Sequence, residues 1–300
     1  MRTRVLSATL VAVSLTLIVR GSYSDAASFA GSQLGFVRAN SVLLAYRDGT
    51  HQRVVLRGTK PGTIHSQPLG GYYSDPVWSR SGRFAVTDEV EGGEDSGNSG
   101  GSTVLVIRPG RAPLQVDAGA WYTGWPTWAP DNQRMALINA GDASTLYTVR
   151  VGAGEPRSVD LDPNRGYDSD DHEFDPAWSP DGKSISFVDT VFPGVGLFLI
   201  RPDGGARRQL TQKLAHNPSW SPDSRRIVFD DGHDIDVINA DGSGLRSLMS
   251  TSAKETDPSW SPDGREIAFV RGKSIWVMDA SGRHARRVIK SGSQPAWKGR

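Results

Sequence analysis

The chain has 300 residues, of which 37% are hydrophobic and 22% are charged. This composition is typical of a folded, water-soluble protein and excludes a disordered polymer and a multi-span membrane protein. Because it has 34 basic residues, 33 acidic residues and no cysteine, the sequence also excludes charge-driven nucleic-acid binding, disulfides, thiolate metal sites and cysteine nucleophiles.

The N-terminal segment has the features of an export signal. A basic start precedes a mostly apolar run over residues 5–19, which is shorter than the roughly twenty residues that a transmembrane helix needs. Small residues follow at Ala26 and Ala30, where a signal peptidase could cut. We therefore predict a signal peptide over residues 1–30, an exported protein in the periplasm or the medium, and no stable membrane insertion after cleavage. An uncleaved membrane anchor is the alternative.

One repeated unit fills the rest of the chain, residues 31–300. Each copy centres on a tryptophan that follows a proline by two positions, and the clearest copies are residues 175–182, 217–224 and 257–264. Successive repeat tryptophans are 50, 50, 42, 40 and 37 residues apart, at Trp78, Trp128, Trp178, Trp220, Trp260 and Trp297. Periods of about 40 to 50 residues are typical of propellers and other repeat arrays.

The pattern of each unit predicts four short strands. The first strand carries the tryptophan, and the Ser-Pro-Asp-Gly after it is a tight turn, because proline fixes φ at the second position and glycine adopts a positive φ at the end. An apolar second strand follows, as at residues 226–229. The third and fourth strands form a hairpin around Asp-Gly, as at residues 235–242 with its flanks.

The strands are offset between the two chain ends. The chain opens with strands two to four of a unit, at about residues 34–56, and ends with a lone first strand at Trp297. Pairing of these two ends would close the ring and leave no open sheet edge between them. We therefore predict an all-β fold, a six-bladed β-propeller over residues 31–300 that is closed by pairing of the C-terminal strand with the N-terminal blade.

These repeats resemble those of the TolB-type β-propeller family, whose repeat is Asp-Pro-x-Trp-Ser-Pro-Asp-Gly followed by an apolar strand. The three clearest copies carry the resemblance, which extends over essentially the whole mature chain. It implies the propeller fold and an exported protein. It does not imply a role in the Tol system, because periplasmic TolB proteins carry an α/β domain before the propeller that this sequence lacks.

Most of the conspicuous residues have structural interpretations. The repeat tryptophans are expected to pack between neighbouring blades, where a large ring buries much apolar area. The Gly-x-Ser-x-Gly match at residues 97–101 lies in a polar insertion without the strand and helix that a nucleophile elbow needs. The residue three positions before each repeat tryptophan is expected to cap the loop that leads into the strand, as at Asp75, Asp175, Asn217, Asp257 and Gln294.

A propeller has two unlike faces. The connections between blades, and those between the second and third strands of a blade, emerge on what we call the loop face. The Ser-Pro-Asp-Gly turns and the third-to-fourth-strand turns emerge on the opposite turn face. The loop face collects aromatic and acidic residues, and loops on a rigid scaffold usually carry binding. The binding candidates for a protein or cell-envelope component are Trp121, Tyr122, Trp125, Tyr167, Asp168, Asp170, Asp171 and His172.

Residues 168–175 also raise the possibility of a metal site. Six of these eight residues are acidic or histidine, and carboxylates with imidazole can hold a divalent cation. The candidate ligands are Asp170 and His172, together with His216 near the start of the next blade. A solvated acidic loop is the plainer interpretation, because acidic runs are usually solvated.

Two functions stay open on the sequence alone. The first is an exported, non-catalytic and monomeric propeller without a cofactor, which binds a protein or cell-envelope component through its loop face. The second is a metal-assisted propeller enzyme, such as a lactonase or a lyase acting on acidic sugars. Many packing signals and no convincing catalytic set favour the first. Neither function involves nucleic acid.

Overall fold

The computed structural model describes residues 34–58, 72–90, 101–108, 112–116, 123–140, 144–152, 159–160, 173–190 and 195–298. The predicted signal peptide lies outside these residues. All regular elements in the described ranges are β-strands, and no helix there is long and apolar enough to cross a membrane.

The strands follow one another in a regular order. They are β1 (Leu34–Arg38), β2 (Ser41–Ala45), β3 (Arg53–Leu56), β4 (Tyr72–Trp78), β5 (Phe84–Val90), β6 (Gly101–Ile107), β7 (Leu114–Val116), β8 (Thr123–Trp128), β9 (Arg134–Ala140), β10 (Ser144–Arg150), β11 (Val159–Asp160), β12 (Glu173–Trp178), β13 (Ile185–Asp189), β14 (Gly196–Ile200), β15 (Arg208–Thr211), β16 (His216–Trp220), β17 (Arg226–Asp230), β18 (Ile235–Asn239), β19 (Arg246–Met249), β20 (Glu255–Trp260), β21 (Glu266–Arg271), β22 (Ser274–Asp279), β23 (Arg286–Ile289) and β24 (Ser293–Trp297).

Within the described ranges these strands form six four-stranded antiparallel sheets. Blade 1 has the order β24-β1-β2-β3, and blades 2 to 6 are β4–β7, β8–β11, β12–β15, β16–β19 and β20–β23. Each blade takes its strands in sequence order, apart from the C-terminal strand that enters blade 1. The predicted six-bladed, all-β propeller is confirmed.

Closure of the ring joins the two ends of the chain. Strand β24 pairs with β1, with Trp297 opposite Leu34. Arg47, in the turn between β2 and β3, reaches blade 6, where its Nε lies 2.5 Å from Glu266 Oε2 and its Nη1 lies 2.8 Å from Asp263 Oδ2. Its guanidinium also lies over the ring of Trp297, 5.2 Å from the ring centroid. The C-terminal strand therefore closes the ring as predicted, and Arg47 ties blade 1 to blade 6 beside it.

The repeat tryptophans pack at the interfaces between blades. Each lies in or against an apolar cluster that combines its own blade with the preceding one. The Trp220 indole N–H donates hydrogen bonds to the Ala177 carbonyl and to Ser186 Oγ of blade 4, both at 3.0 Å. In the same way Trp297 donates to the Ser259 carbonyl of blade 6, at 3.0 Å. Apolar burial and hydrogen bonding thus hold successive blades together.

The turns of neighbouring blades are also linked. Glycine closes the Ser-Pro-Asp-Gly-type turn of blades 2, 4 and 6 with a positive φ, whereas Asn132 and Ser224 do so in blades 3 and 5, at φ 58° and 59°. Asn132 Oδ1 accepts a hydrogen bond from Ser81 N, at 2.8 Å. Ser224 Oγ accepts one from Asp181 N, at 3.0 Å. These two side chains therefore bond the turn of blade 2 to that of blade 3 and the turn of blade 4 to that of blade 5.

Candidate binding site at the central channel

The first strands of the six blades surround a central channel. A cavity of about 330 Å³ in it is lined by the segment that leads to the repeat tryptophan in every blade. The residue three positions before each tryptophan lies towards the loop face, because the strand enters from that side. We call this ring of residues the girdle; it consists of Asp75, Trp125, Asp175, Asn217, Asp257 and Gln294.

All girdle residues share one unusual backbone conformation. Their φ angles lie between 48° and 54°, in the left-handed region. Each lies at a point where the register between the first strand and its neighbour shifts, as in a β-bulge. A proline follows each girdle residue, and proline disfavours the right-handed helical conformation in the residue before it. Aspartate and asparagine tolerate the left-handed region better than other non-glycine residues, which explains their frequency here.

The polar girdle side chains join neighbouring blades. The Asp175 carboxylate accepts a hydrogen bond from Asn217 N, at 3.1 Å, and the Asp257 carboxylate accepts one from Gln294 N, at 3.5 Å. Gln294 Oε1 accepts one from Asp75 N, at 3.1 Å, and its Nε2 donates to Asp75 Oδ1, at 3.0 Å. These bonds correct the expected role as caps of the local loop, because the side chains of Asp175, Asp257 and Gln294 accept hydrogen bonds from the backbone of the next blade instead.

The girdle concentrates carboxyl groups in a poorly solvated space. Burial raises the pKa of Asp75 to about 7, with a further contribution from the charge of Asp175. Burial and the charge of Asp230 raise the pKa of Asp257 to about 6. Burial likewise raises the pKa values of Asp175 and Asp230. A cation placed here would lower these pKa values, because it stabilises the ionised form of each carboxyl group. The channel is therefore suited to a positively charged group.

Trp125 departs from the girdle pattern. It occupies the girdle position of blade 3 with φ 49°, a conformation that is rare for a bulky side chain. Its ring is partly exposed, lines the cavity and packs on one side against the apolar cluster that contains Trp178. The sequence analysis identified Trp125 as an additional tryptophan. It did not recognise that Trp125 occupies the same position in its repeat as Asp175 does. An alignment of Trp125-Pro-Thr-Trp128 with Asp175-Pro-Ala-Trp178 shows this equivalence.

His216 lies beside the channel carboxylates. It begins strand β16, opposite Asp230 in the neighbouring strand, and its positive charge when protonated would lower the pKa values of Asp175 and Asp230. In the part of the chain that the structure describes, no group of three or more histidine, aspartate or glutamate residues is arranged to hold a metal ion. The other two candidate ligands, Asp170 and His172, lie outside it.

Most of the predicted binding residues are likewise not covered. Seven of them lie outside the described residues, so their role in binding stays a prediction: Trp121, Tyr122, Tyr167, Asp168, Asp170, Asp171 and His172. Tyr73 is among the described aromatic residues: it belongs to β4 and is buried in the cluster between blades 1 and 2.

Comparison with known proteins agrees with this architecture. A family profile for the TolB beta propeller domain matches residues 167–298. No curated protein sequence matches the chain significantly. TolB from Acinetobacter baumannii is 16% identical, with a TM-score of 0.67 over 90% of this chain and 67% of that chain. A putative TolB from Agrobacterium tumefaciens is 20% identical, with a TM-score of 0.63 over 89% and 91%.

An enzyme also shares the fold. Oligogalacturonate lyase from Vibrio parahaemolyticus is 12% identical, with a TM-score of 0.56 over 83% of this chain and 74% of that chain. At such identities the structural matches show the fold alone. The resemblance to TolB-type β-propellers is confirmed, in sequence over residues 167–298 and in fold over the described chain.

Proposed function

We propose that the protein is an exported, non-catalytic propeller that binds a protein or cell-envelope component at the loop-face end of its channel. The observation that carries this proposal is Trp125. Every other girdle position holds Asp, Asn or Gln, whereas Trp125 presents a partly exposed indole in a strained conformation at the channel wall. Strained residues of this kind cluster at functional sites.

The surroundings of Trp125 favour a protein segment with a lysine or an arginine side chain. An indole face attracts cations, and tryptophan is frequent among the residues that dominate binding energy at interfaces. Asp75, Asp175 and Asp257 would supply negative charge in the same channel. The partner would therefore insert a basic side chain into the channel mouth and cover the indole.

The proposal is tested by comparing three tagged proteins expressed in the native host. These are the wild type, Trp125→Asn and Trp276→Ala, and co-purifying envelope proteins are quantified for each. Trp276 is a suitable control because it is partly exposed but lies in β22, away from the channel lining. We expect a partner that the wild type and Trp276→Ala retain, and that Trp125→Asn loses by about tenfold or more.

Thermal unfolding of the same proteins separates binding from packing. Asparagine suits the left-handed region, so Trp125→Asn should melt close to the wild type. A Trp220→Ala control, which empties a buried blade interface, should lose about 3–5 kcal/mol of unfolding free energy. If Trp125→Asn lost as much stability as Trp220→Ala, or kept every co-purifying protein, the proposed role of Trp125 would be wrong.

The alternative function is the metal-assisted enzyme. Of its candidate ligands, the structure describes His216, beside Asp175 and Asp230. Elemental analysis of protein purified without chelators distinguishes the two functions. A stoichiometric divalent metal that is lost with His216→Ala would favour the enzyme.

A further inference from the structure

The nearly equal totals of acidic and basic residues conceal an uneven distribution in space. Among the described residues of the turn face, exposed arginines and lysines outnumber exposed carboxylates. On the loop face, carboxylates gather in and around the channel, and the basic residues lie at the rim. The molecule therefore has a basic turn face.

The carboxylates of the turn face are occupied by the turns themselves. Asp181, Asp223 and Asp263 each accept a hydrogen bond from the backbone N–H two residues later, at 3.1 Å. The same three carboxylates accept bonds from the serine that begins the turn, at 2.6 to 2.7 Å. These carboxylates are thus held close to the backbone. The longer arginine side chains therefore extend further from the turns and make the surface charge positive.

Several arginines on this side of the molecule form no ion pair with a described residue. Arg225 and Arg265 follow the turns of blades 5 and 6, Arg283 lies in the outer turn of blade 6, and Arg287 lies in the strand β23 that follows this turn. All four are exposed, and none forms an ion pair or a side-chain hydrogen bond with a described residue. Their positive charge is therefore available to a partner.

Exposed cations follow the Ser-Pro-Asp-Gly-type turns of blades 2 to 6, at Arg83, Arg134, Lys183, Arg225 and Arg265. The turn-closing N–H donates to the carbonyl three residues earlier at 3.0 Å in blade 2 and at 2.9 Å in blades 4, 5 and 6. Asn132 and Ser224 bond neighbouring turns to each other, as described above. These cations are thus spread around the ring rather than gathered in one cleft into which several donors converge.

We propose that the turn face docks on a bilayer surface that contains anionic phospholipids. Cations spread around one face of the ring are complementary to the many separate phosphate headgroups of such a surface, and each basic residue near it adds to the attraction. A small anion would need converging donors, and a linear polyanion would cover only a strip of the ring. The adsorption is electrostatic and peripheral, and it leaves the Trp125 end of the channel facing away from the membrane.

Co-sedimentation with vesicles tests this proposal independently of Trp125. The probes are vesicles of phosphatidylcholine alone and vesicles of phosphatidylcholine with about a quarter phosphatidylglycerol, at low and at moderately high salt. The test variant combines Arg225→Gln, Arg265→Gln, Arg283→Gln and Arg287→Gln. The matched control removes four positive charges from the loop-face rim, with Arg57→Gln, Lys254→Gln, Lys273→Gln and Lys290→Gln.

We expect the wild type to bind only the vesicles with phosphatidylglycerol and to dissociate at the higher salt. The turn-face variant should bind at least about tenfold more weakly, while the rim variant should bind like the wild type. Equal losses in both variants, or no binding by the wild type, would overturn the proposal. Binding of soluble polyphosphate but not of vesicles would also overturn it and would indicate a linear polyanion instead.

Discussion

The girdle residues share one backbone conformation but differ in the hydrogen bonds that their side chains form. Asp175, Asp257 and Gln294 each use a side-chain oxygen to bond the next blade, which offsets the cost of a positive φ. An indole has a donor and no acceptor, so Trp125 cannot bond the next blade in this way. We attribute its presence at this position to the contact with a partner proposed above.

The raised pKa of Asp75 predicts how stability depends on pH. Its folded-state pKa of about 7 exceeds the ordinary value of 3.8, so the folded protein binds this proton more tightly than the unfolded chain does. The resulting stabilisation is complete below about pH 4 and is lost as the pH rises to about 7. The melting temperature of the wild type should therefore rise between pH 8 and pH 5 by more than that of Asp75→Asn.

A suitable control for this comparison is Asp203→Asn. Asp203 is exposed, and hydrogen bonds from Gly205 N and Arg201 lower its pKa, so it does not titrate between pH 5 and pH 8. Asp203→Asn should keep the pH profile of the wild type. Identical profiles for Asp75→Asn and the wild type would show that the Asp75 carboxyl is not desolvated by the channel.

At the scale of secondary structure, β24 has the greatest influence on the ring. It supplies the innermost strand of blade 1, and Trp297 contributes to the apolar cluster between blades 1 and 6. Without it, the edge of β1 would be unpaired and one blade interface would lose its tryptophan. The Arg47 contacts with Asp263 and Glu266 would have to hold the two ends of the ring without it.

Truncation tests this role of β24. A chain that ends at residue 293 should unfold at a much lower temperature than the wild type, because deletion reopens a sheet edge and removes a buried indole, itself worth about 3–5 kcal/mol. A chain that ends at residue 298 keeps the whole strand and should melt like the wild type. Equal melting of both truncated proteins would contradict closure through β24.

Particular elements show how far the sequence predicts this fold. Each unit has its own turn signals, so the blade number and the pairing of β24 with β1 follow from the spacing of Trp78 to Trp297. The girdle conformation does not follow from it, because the positive φ at Trp125 lies at a shift of register between two paired strands that the spacing of the repeat does not encode. The basic turn face was missed for another reason: a total charge near zero says nothing about how residues such as Arg265 are distributed between two faces.

At the scale of the whole molecule, the closed ring separates two surfaces of different chemistry. The channel mouth with Trp125 and the acidic girdle lies on one side, and the basic turn face lies on the other. A propeller that adsorbs through its turn face would present Trp125 to soluble or envelope-bound partners. The two proposals are thus compatible, but each has its own test.

Site-specific photo-crosslinking in the native host tests the central claim, that Trp125 contacts a partner, most directly. A photoreactive phenylalanine derivative is placed at position 125 or, as the control, at position 276, and the cells are irradiated. We predict a light-dependent adduct of higher mass for position 125 and none for position 276. No adduct at position 125, or the same adduct at both positions, would contradict the account.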